Sequence, residues 1–243
     1  MTTSRQVGIV GVGLMGHGIA SSLLRAGHQV SFLNHPGNQP VDDLLAAGAT
    51  ALNTGQEVAQ QSDVVILCVT GSPQVEAVLF EPNGVLDGLK PGCVVVDCST
   101  ALPSSTEKVA ARVTDAGGRF MDAAMTRTPK EAAEGRLNLI VGAPKPLFDE
   151  TLPLLQGFAE NIAHAGDVGA GHTLKLLHNF VSLGFSAVLA EATAASRKAG
   201  ISDTALLEVL GAGGGAPTSL TMTLLASNLR LPTPARISVT TTP

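Results

Sequence analysis

An α/β fold is predicted: a doubly wound, mostly parallel sheet, then a long helix and an incomplete all-α domain. Three observations carry it. Short apolar, β-branched runs alternate with helical stretches through the first two-thirds of the chain. The first run leads directly into a glycine-rich turn. Beyond about residue 166 the strand pattern gives way to an uninterrupted helical one. Strands separated by helical segments imply βαβ units with helices on both faces of the sheet. Right-handed crossovers then gather the carboxyl ends of the strands at one crevice, where such sheets bind ligands.

Val7–Val12 reads as the first strand, and Gly11, Gly13 and Gly16 after its start form a G-x-G-x-x-G pattern. The first glycine makes the sharp turn, the second admits a pyrophosphate close to the backbone, and the third lets helix pack on strand. Phosphates then meet the unpaired N–H groups and positive end of the helix dipole, with Leu14 and Met15 in that first turn. Ile19, Ala20, Leu23 and Leu24 continue at helical spacing, Gly27 stops the helix, and Gln29–Leu33 is a second strand. The context identifies a dinucleotide site. Further strands are read at Val64–Val69, Cys93–Asp97 and Leu137–Val141, and helices at Pro73–Phe80 and Pro103–Ala116.

His172 to Lys198 contains no proline and one glycine, Gly184, while Leu174, Leu177, Phe180, Val181, Phe185, Val188 and Leu189 recur at three- and four-residue spacing. One long helix results, with an apolar stripe wide enough to be buried on more than one side. A turn at Gly200–Asp203 with a capping residue precedes a helix from Thr204 to Leu210. The expected division is a dinucleotide-binding domain, 1–165, and a helical domain, 166–243, with its long helix at about 170–198 and an atypical tail at 216–243.

Of the 243 residues, 44% are hydrophobic, ample for a packed core. Lys plus Arg (15) against Asp plus Glu (20) gives a net charge of −5. Without a basic stripe, neither nucleic acid nor an anionic membrane is an expected partner. No uninterrupted apolar run reaches spanning length, and the N-terminus leaves no room for a signal peptide, so a cytoplasmic location is expected. Cys68, Cys93 and Cys98 lie in or beside buried strands at spacings that suit neither disulfides nor zinc. His and carboxylate residues also lack ligand spacing, so no metal site is expected. With no Trp or Tyr and seven Phe, a base-stacking surface is not expected.

The tail breaks this texture. Gly213-Gly214-Gly215 precedes a segment, Ala216 to Pro243, that has no Asp, Glu or Lys but seven Thr and four Pro. Leu220–Leu225 reads as a short helix and Thr233–Pro243 as coil. Two readings stand: a disordered tail, or the product of a reading frame shifted near Gly215.

Four further stretches carry chemistry: Val94–Thr100, ending Asp97-Cys98-Ser99-Thr100; Asp122 to Gly135, containing Thr126-Arg127-Thr128; Gly169 to Asn179, containing Gly171, Lys175 and Asn179; and Glu191-Ala192 with Ala199-Gly200-Ile201. Their order and spacing over residues 5–212 resemble the β-hydroxyacid dehydrogenase family. That resemblance implies a Rossmann-type domain and oxidation of a 3-hydroxy acid, or reduction of the matching aldehyde acid, with a nicotinamide cofactor. It places the catalytic lysine at Lys175. Judged on spacing alone, Lys175 is a solvated helix residue. Near a carbonyl, a lysine gives a proton as hydride arrives or takes one as hydride leaves, most efficiently with a pKa depressed by burial in a cleft. Asn179, four residues on, shares its helix face and would orient substrate or lysine. The resemblance also places Gly171 beside the substrate, Ser99 and Thr100 at the nicotinamide end, and Val69 and Thr70 on the cofactor. His172 and His178 receive no role.

The chain departs from the family at Thr126-Arg127-Thr128, where Ser-Gly-Gly is usual. Thr126 keeps a hydroxyl; Arg127 brings a charged donor fork suited to a carboxylate, sulfonate or phosphate. A small anionic substrate other than plain hydroxyisobutyrate is expected; the alternative is a solvent-facing guanidinium. Cofactor choice rests on Asn34-His35-Pro36-Gly37-Asn38, which lacks the acidic residue that favours NAD. NAD or NADP is expected, with a lean to NADP through His35. The rivals are an oxidative decarboxylase like the 6-phosphogluconate dehydrogenases and a truncated product that binds dinucleotide without efficient catalysis. The family implies a homo-oligomer, an expectation weakened by this C-terminus.

Overall fold

The computed structural model describes residues 4–212. The expected short helix at Leu220–Leu225 and coil at Thr233–Pro243 lie outside the described residues. Two compact units divide the chain, residues 1–178 and 179–243. That boundary lies inside the long helix, thirteen residues beyond the expected one at about 165.

The first unit is built on β1 (Gln6–Val10), β2 (Gln29–Leu33), β3 (Thr50–Leu52), β4 (Val64–Leu67), β5 (Val94–Asp97), β6 (Arg119–Thr126), β7 (Leu137–Gly142) and β8 (Ala159–Gly166). Among the described residues these form one eight-stranded sheet in the order β3-β2-β1-β4-β5-β6-β7-β8. Connecting helices are α1 (Leu14–Arg25), α2 (Asp42–Ala46), α3 (Gly55–Gln60), α4 (Ser72–Phe80), α5 (Pro103–Asp115), α6 (Pro129–Glu134) and α7 (Lys145–Leu155). The long helix α8 (Ala170–Lys198) crosses into the second unit, which also holds α9 (Asp203–Ala212).

β3 through β6 are parallel throughout, as the alternating pattern requires. The exception is β6–β7, which is antiparallel, with Thr126 opposite Asn138; β7–β8 is parallel again. Alternation along β4 explains the two cores. Val64 and Ile66 enter a cluster with Ile9, Ile19, Leu23 and Phe32, while Val65 and Leu67 enter another with Val95, Val109 and Phe120. A strand buried on both faces is apolar at every position, and β4 is.

Chain order reverses between β1 and β4, so the crevice at a topological switch point opens at their carboxyl ends. The turn there is tight. Gly11 sits at φ +100°, and a Cβ on it would lie 2.3 Å from the Cys68 carbonyl oxygen. One on Gly16 would lie 1.9 Å from the Gly11 carbonyl oxygen.

The long helix forms as expected, but its burial does not. Leu177, Phe180, Val181, Leu183 and Val188 are exposed, Phe180 at 78%. Periodicity establishes an apolar face without supplying a layer to cover it. By length and composition α8 is also apolar enough to cross a membrane, where the sequence reading expected no run of that reach. In the second unit Ser202 Oγ accepts from Ala205 N, the expected cap of α9.

Gly16→Ala is expected to lose about 1–3 kcal/mol by overpacking, read as a lowered denaturant midpoint. An unchanged midpoint would contradict the contact with Gly11.

Candidate active site

Gly13 differs from its neighbours in the turn. It is the N-cap of α1, and a Cβ placed on it meets nothing within 4 Å. Gly11 and Gly16 are thus required by the protein's own packing, and Gly13 by none of it. The first-turn N–H groups of α1 lack intrahelical acceptors, and the chain leaves the space at Gly13 unfilled. This is the cradle a pyrophosphate needs, so the residues fit a dinucleotide. Leu14 is exposed and Met15 packs against the core. The turn is latched to the next strand end by Asn38, whose Oδ1 accepts from Val12 N and whose Nδ2 donates to the Leu33 carbonyl. Asn34 and His35 border a cleft shared with Thr54, Val78 and Glu81. His35 Nδ1 accepts from Gly37 N at 3.0 Å.

Beyond β4 and β5 the loops are stitched together. Val69 N donates to Ser99 Oγ at 3.1 Å, and Leu102 N to Ser72 Oγ at 2.9 Å. Thr70 and Thr100 flank these contacts in the same two loops. Ser99 is buried, and its N–H donates to Asp97 Oδ1 at 2.9 Å. Burial pushes the Asp97 carboxyl up from its ordinary value, against a lowering by the nearby His172. Burial likewise pushes the Cys68 thiol up to about 12 and Cys93 to about 11. Such thiols are unreactive packing groups.

The start of α8 is held by residues that sequence reasoning did not select. Asp122, wholly buried on β6, accepts from Gly169 N through Oδ1 and from His172 N through Oδ2, both at 2.7 Å. His172, also wholly buried, donates from Nε2 to the Ser99 carbonyl at 3.1 Å. The carbonyl can only accept, which places a proton on Nε2. Its Nδ1 lies 2.7 Å from Thr106 Oγ1 on α5. The helix therefore docks directly on β6 and β7. A Cβ on Gly171 would lie 2.5 Å from the Ile140 carbonyl oxygen, and one on Gly142 would lie 2.8 Å from Gly171 N. The available signal was Asp122 itself, a carboxylate inside the apolar run Phe120–Met125.

Lys175 stands one turn beyond His172, half-buried, and burial holds its ammonium below the ordinary lysine value. Asn179 belongs to the second unit. Thr126 closes β6, its Oγ1 accepting from Asn138 Nδ2 at 3.0 Å. Arg127 follows at φ +82°, a left-handed conformation that favours glycine. Its guanidinium pairs with Glu160 on β8 and donates to the Arg136 carbonyl. Thr128 caps α6, with its N–H and hydroxyl both on Glu131 Oε2. Through His172 and Asp122 the structure ties Ser99 and the Gly169–His172 turn to the start of the helix that carries Lys175. It places the guanidinium of Arg127 in an internal ion pair and the hydroxyl of Thr128 on a helix cap.

A family model described as the NAD binding domain of 6-phosphogluconate dehydrogenase matches residues 6–166. The 2-(hydroxymethyl)glutarate dehydrogenase of Eubacterium barkeri is 35% identical over 88% of this chain and 71% of its own length. The 2-hydroxy-3-oxopropionate reductase of Escherichia coli is 35% identical over 86% of this chain and 70% of its own. Among solved structures, the 3-hydroxyisobutyrate dehydrogenase of Mycobacterium tuberculosis with L-serine superposes with a TM-score of 0.82. That pair is 26% identical, covering 88% of this chain and 72% of the other.

Asp122→Ala would leave two buried N–H groups without their charged acceptor. It is expected to cost about 2–5 kcal/mol, measured as a fall in chemical-unfolding stability. A loss below about 1 kcal/mol would contradict the capping role.

Proposed function

The chain belongs to the β-hydroxyacid dehydrogenase family, and from that premise we propose that it interconverts a short, anionic 3-hydroxy acid and its aldehyde acid. It is an oxidoreductase that uses NAD or NADP. The observation that carries the proposal is Lys175, half-buried and depressed in pKa, on a helix whose start is pinned to the Ser99 carbonyl. When bound, the nicotinamide ring supplies or takes the hydride. In reduction the Lys175 ammonium gives its proton to the aldehyde oxygen as that oxygen gains charge. In oxidation the neutral amine takes the hydroxyl proton.

Ser99 accepts from Val69 N, which leaves its own O–H to donate to substrate. Gly171 is assigned to the substrate on the family resemblance; its missing side chain faces the Ile140 carbonyl and Asp122, where it lets the helix dock on the sheet. Asn179 is assigned to orient substrate or lysine on helical spacing alone. Arg127 binds a substrate anion by exchange: the anion displaces Glu160, whose carboxyl is held low by its bond to Arg127. Gly13, Leu14 and Met15 take the pyrophosphate, and Val69, Thr70 and Thr100 the rest of the cofactor. At the ribose, Asn34 and His35 present no carboxylate, which favours NADP. The competing reading, cofactor binding without turnover, draws on the exposed apolar face of α8.

One experiment separates the readings. The chain is mixed with NADPH or NADH carrying deuterium at C4 and with 2-hydroxy-3-oxopropionate; 2-(hydroxymethyl)glutarate, 3-hydroxyisobutyrate and L-serine are tried in the oxidative direction. Deuterium recovered on the product carbon supports hydride transfer. Binding of both nucleotides without transfer to or from any of the four compounds overturns it. The pH dependence has a defined sign. Reduction needs the protonated lysine, so its kcat is flat at low pH and falls as pH rises through the Lys175 value. Oxidation shows the mirror profile. Because burial depresses that value, the inflection lies below the ordinary lysine value of about 10.4. An inflection at or above it contradicts the assignment.

A further inference from the structure

Thr126 is the first of three polar residues lying side by side across the sheet. It pairs with Asn138 of β7, which pairs with Asn161 of β8. Residues opposed across strands share a face, and Thr126 shares a face with Asp122, four residues back on the same strand. That is the face on which the start of α8 docks.

The hydrogen bonds across this row run one way. Asn161 Nδ2 donates to Asn138 Oδ1 at 2.9 Å, and Asn138 Nδ2 donates to Thr126 Oγ1 at 3.0 Å. With its oxygen engaged by Asn161, the Asn138 amide turns its NH2 toward Thr126. A hydroxyl oxygen that receives an amide N–H keeps its own proton to give away, and each bond in such a chain polarises the next. An Asp at 138 would reverse the order, because a carboxylate only accepts and would take the Thr126 proton. Packing does not require this row: strands with a half-buried face are commonly filled by β-branched side chains.

We propose that Asn138 and Asn161 are specificity-determining positioning residues, which commit the Thr126 hydroxyl to donate toward an oxyanion of the substrate. The row thereby selects a carboxylate or similar acceptor over a neutral group at that position. The inference rests on the reading of Thr126 as a substrate residue.

The test compares wild type with Asn138→Asp, Asn161→Ala, Thr126→Val and the Asn138→Asp/Thr126→Val double variant. Each is assayed with whichever of 2-hydroxy-3-oxopropionate, 3-hydroxyisobutyrate, 2-(hydroxymethyl)glutarate and L-serine turns over fastest, and with its methyl ester as the neutral counterpart. Asn138→Asp is expected to raise KM for the acid by about tenfold with little change in kcat. It should narrow the preference for acid over ester and leave NADPH affinity unchanged. The double variant should lose no more than Thr126→Val alone. Asn161→Ala frees the Asn138 amide to turn over and is expected to raise KM by a few-fold; it decides the matter should Asn138→Asp fail to fold. Wild-type KM in Asn138→Asp or Asn161→Ala, beside a raised KM in Thr126→Val, overturns the inference and spares the Thr126 reading. An unchanged KM in Thr126→Val overturns the Thr126 reading itself, as does turnover of none of the four compounds.

Discussion

A single buried carboxylate organises the candidate site. Asp122 interrupts the apolar run Phe120–Met125 and receives the N–H groups of Gly169 and His172. A carboxylate at a helix N-terminus is favoured by the dipole and by its charged hydrogen bonds. Both partners are backbone groups, so the helix is fixed in position and in rotation about its axis. Rotation is what matters for Lys175, which comes one turn later. Gly142 and Gly171 follow from the same constraint, since a side chain on either would push helix from sheet. His172 extends the hold to Ser99 and Thr106, tying the start of α8 to the loop after β5 and to α5.

The cofactor end obeys a different constraint. Gly11 and Gly16 are used up by the turn's own contacts, while Gly13 faces open space. Three glycines that look alike in sequence divide into two held by the fold's own contacts and one that faces open space, the one proposed to admit the pyrophosphate. Burial then sets the chemistry around them. It pushes the Asp97 carboxyl up and the Lys175 ammonium down, in each case toward the neutral form. In the proposed hydride transfer it is the lysine shift that is used.

Much of this was legible beforehand, and the failures have physical causes. The strands β1, β2, β4, β5 and β7 were readable as short, mostly apolar, β-branched runs, and β4 most plainly because a strand buried on both faces is apolar at every position. β8 was not, because Ala159-Glu160-Asn161-Ile162-Ala163-His164 is exposed at most positions and looks like loop. β3, at three residues, is too short to show a period. The antiparallel step from β6 to β7 is invisible because strand periodicity carries no direction. Arg127 was recognised as a departure from glycine; its pairing with Glu160, distant in sequence, needed three dimensions. Periodicity located α8 but said nothing of what covers its apolar face. Asp122 was visible as an odd residue in an apolar run, yet only the fold shows which backbone groups it serves.

Chemical rescue tests most directly the proposal that Lys175 is the group that moves the proton. Lys175→Ala would be assayed with NADPH and the aldehyde acid, alone and with added primary alkylamines. General acid–base catalysis contributes about a hundredfold to ten-thousandfold, so a loss on that scale is expected. The rate should return in proportion to added alkylammonium, and more strongly for amines whose pKa lies near that of the native lysine. A variant that keeps wild-type rate, or one that loses it and gains nothing from any amine while still binding NADPH, would contradict the assignment.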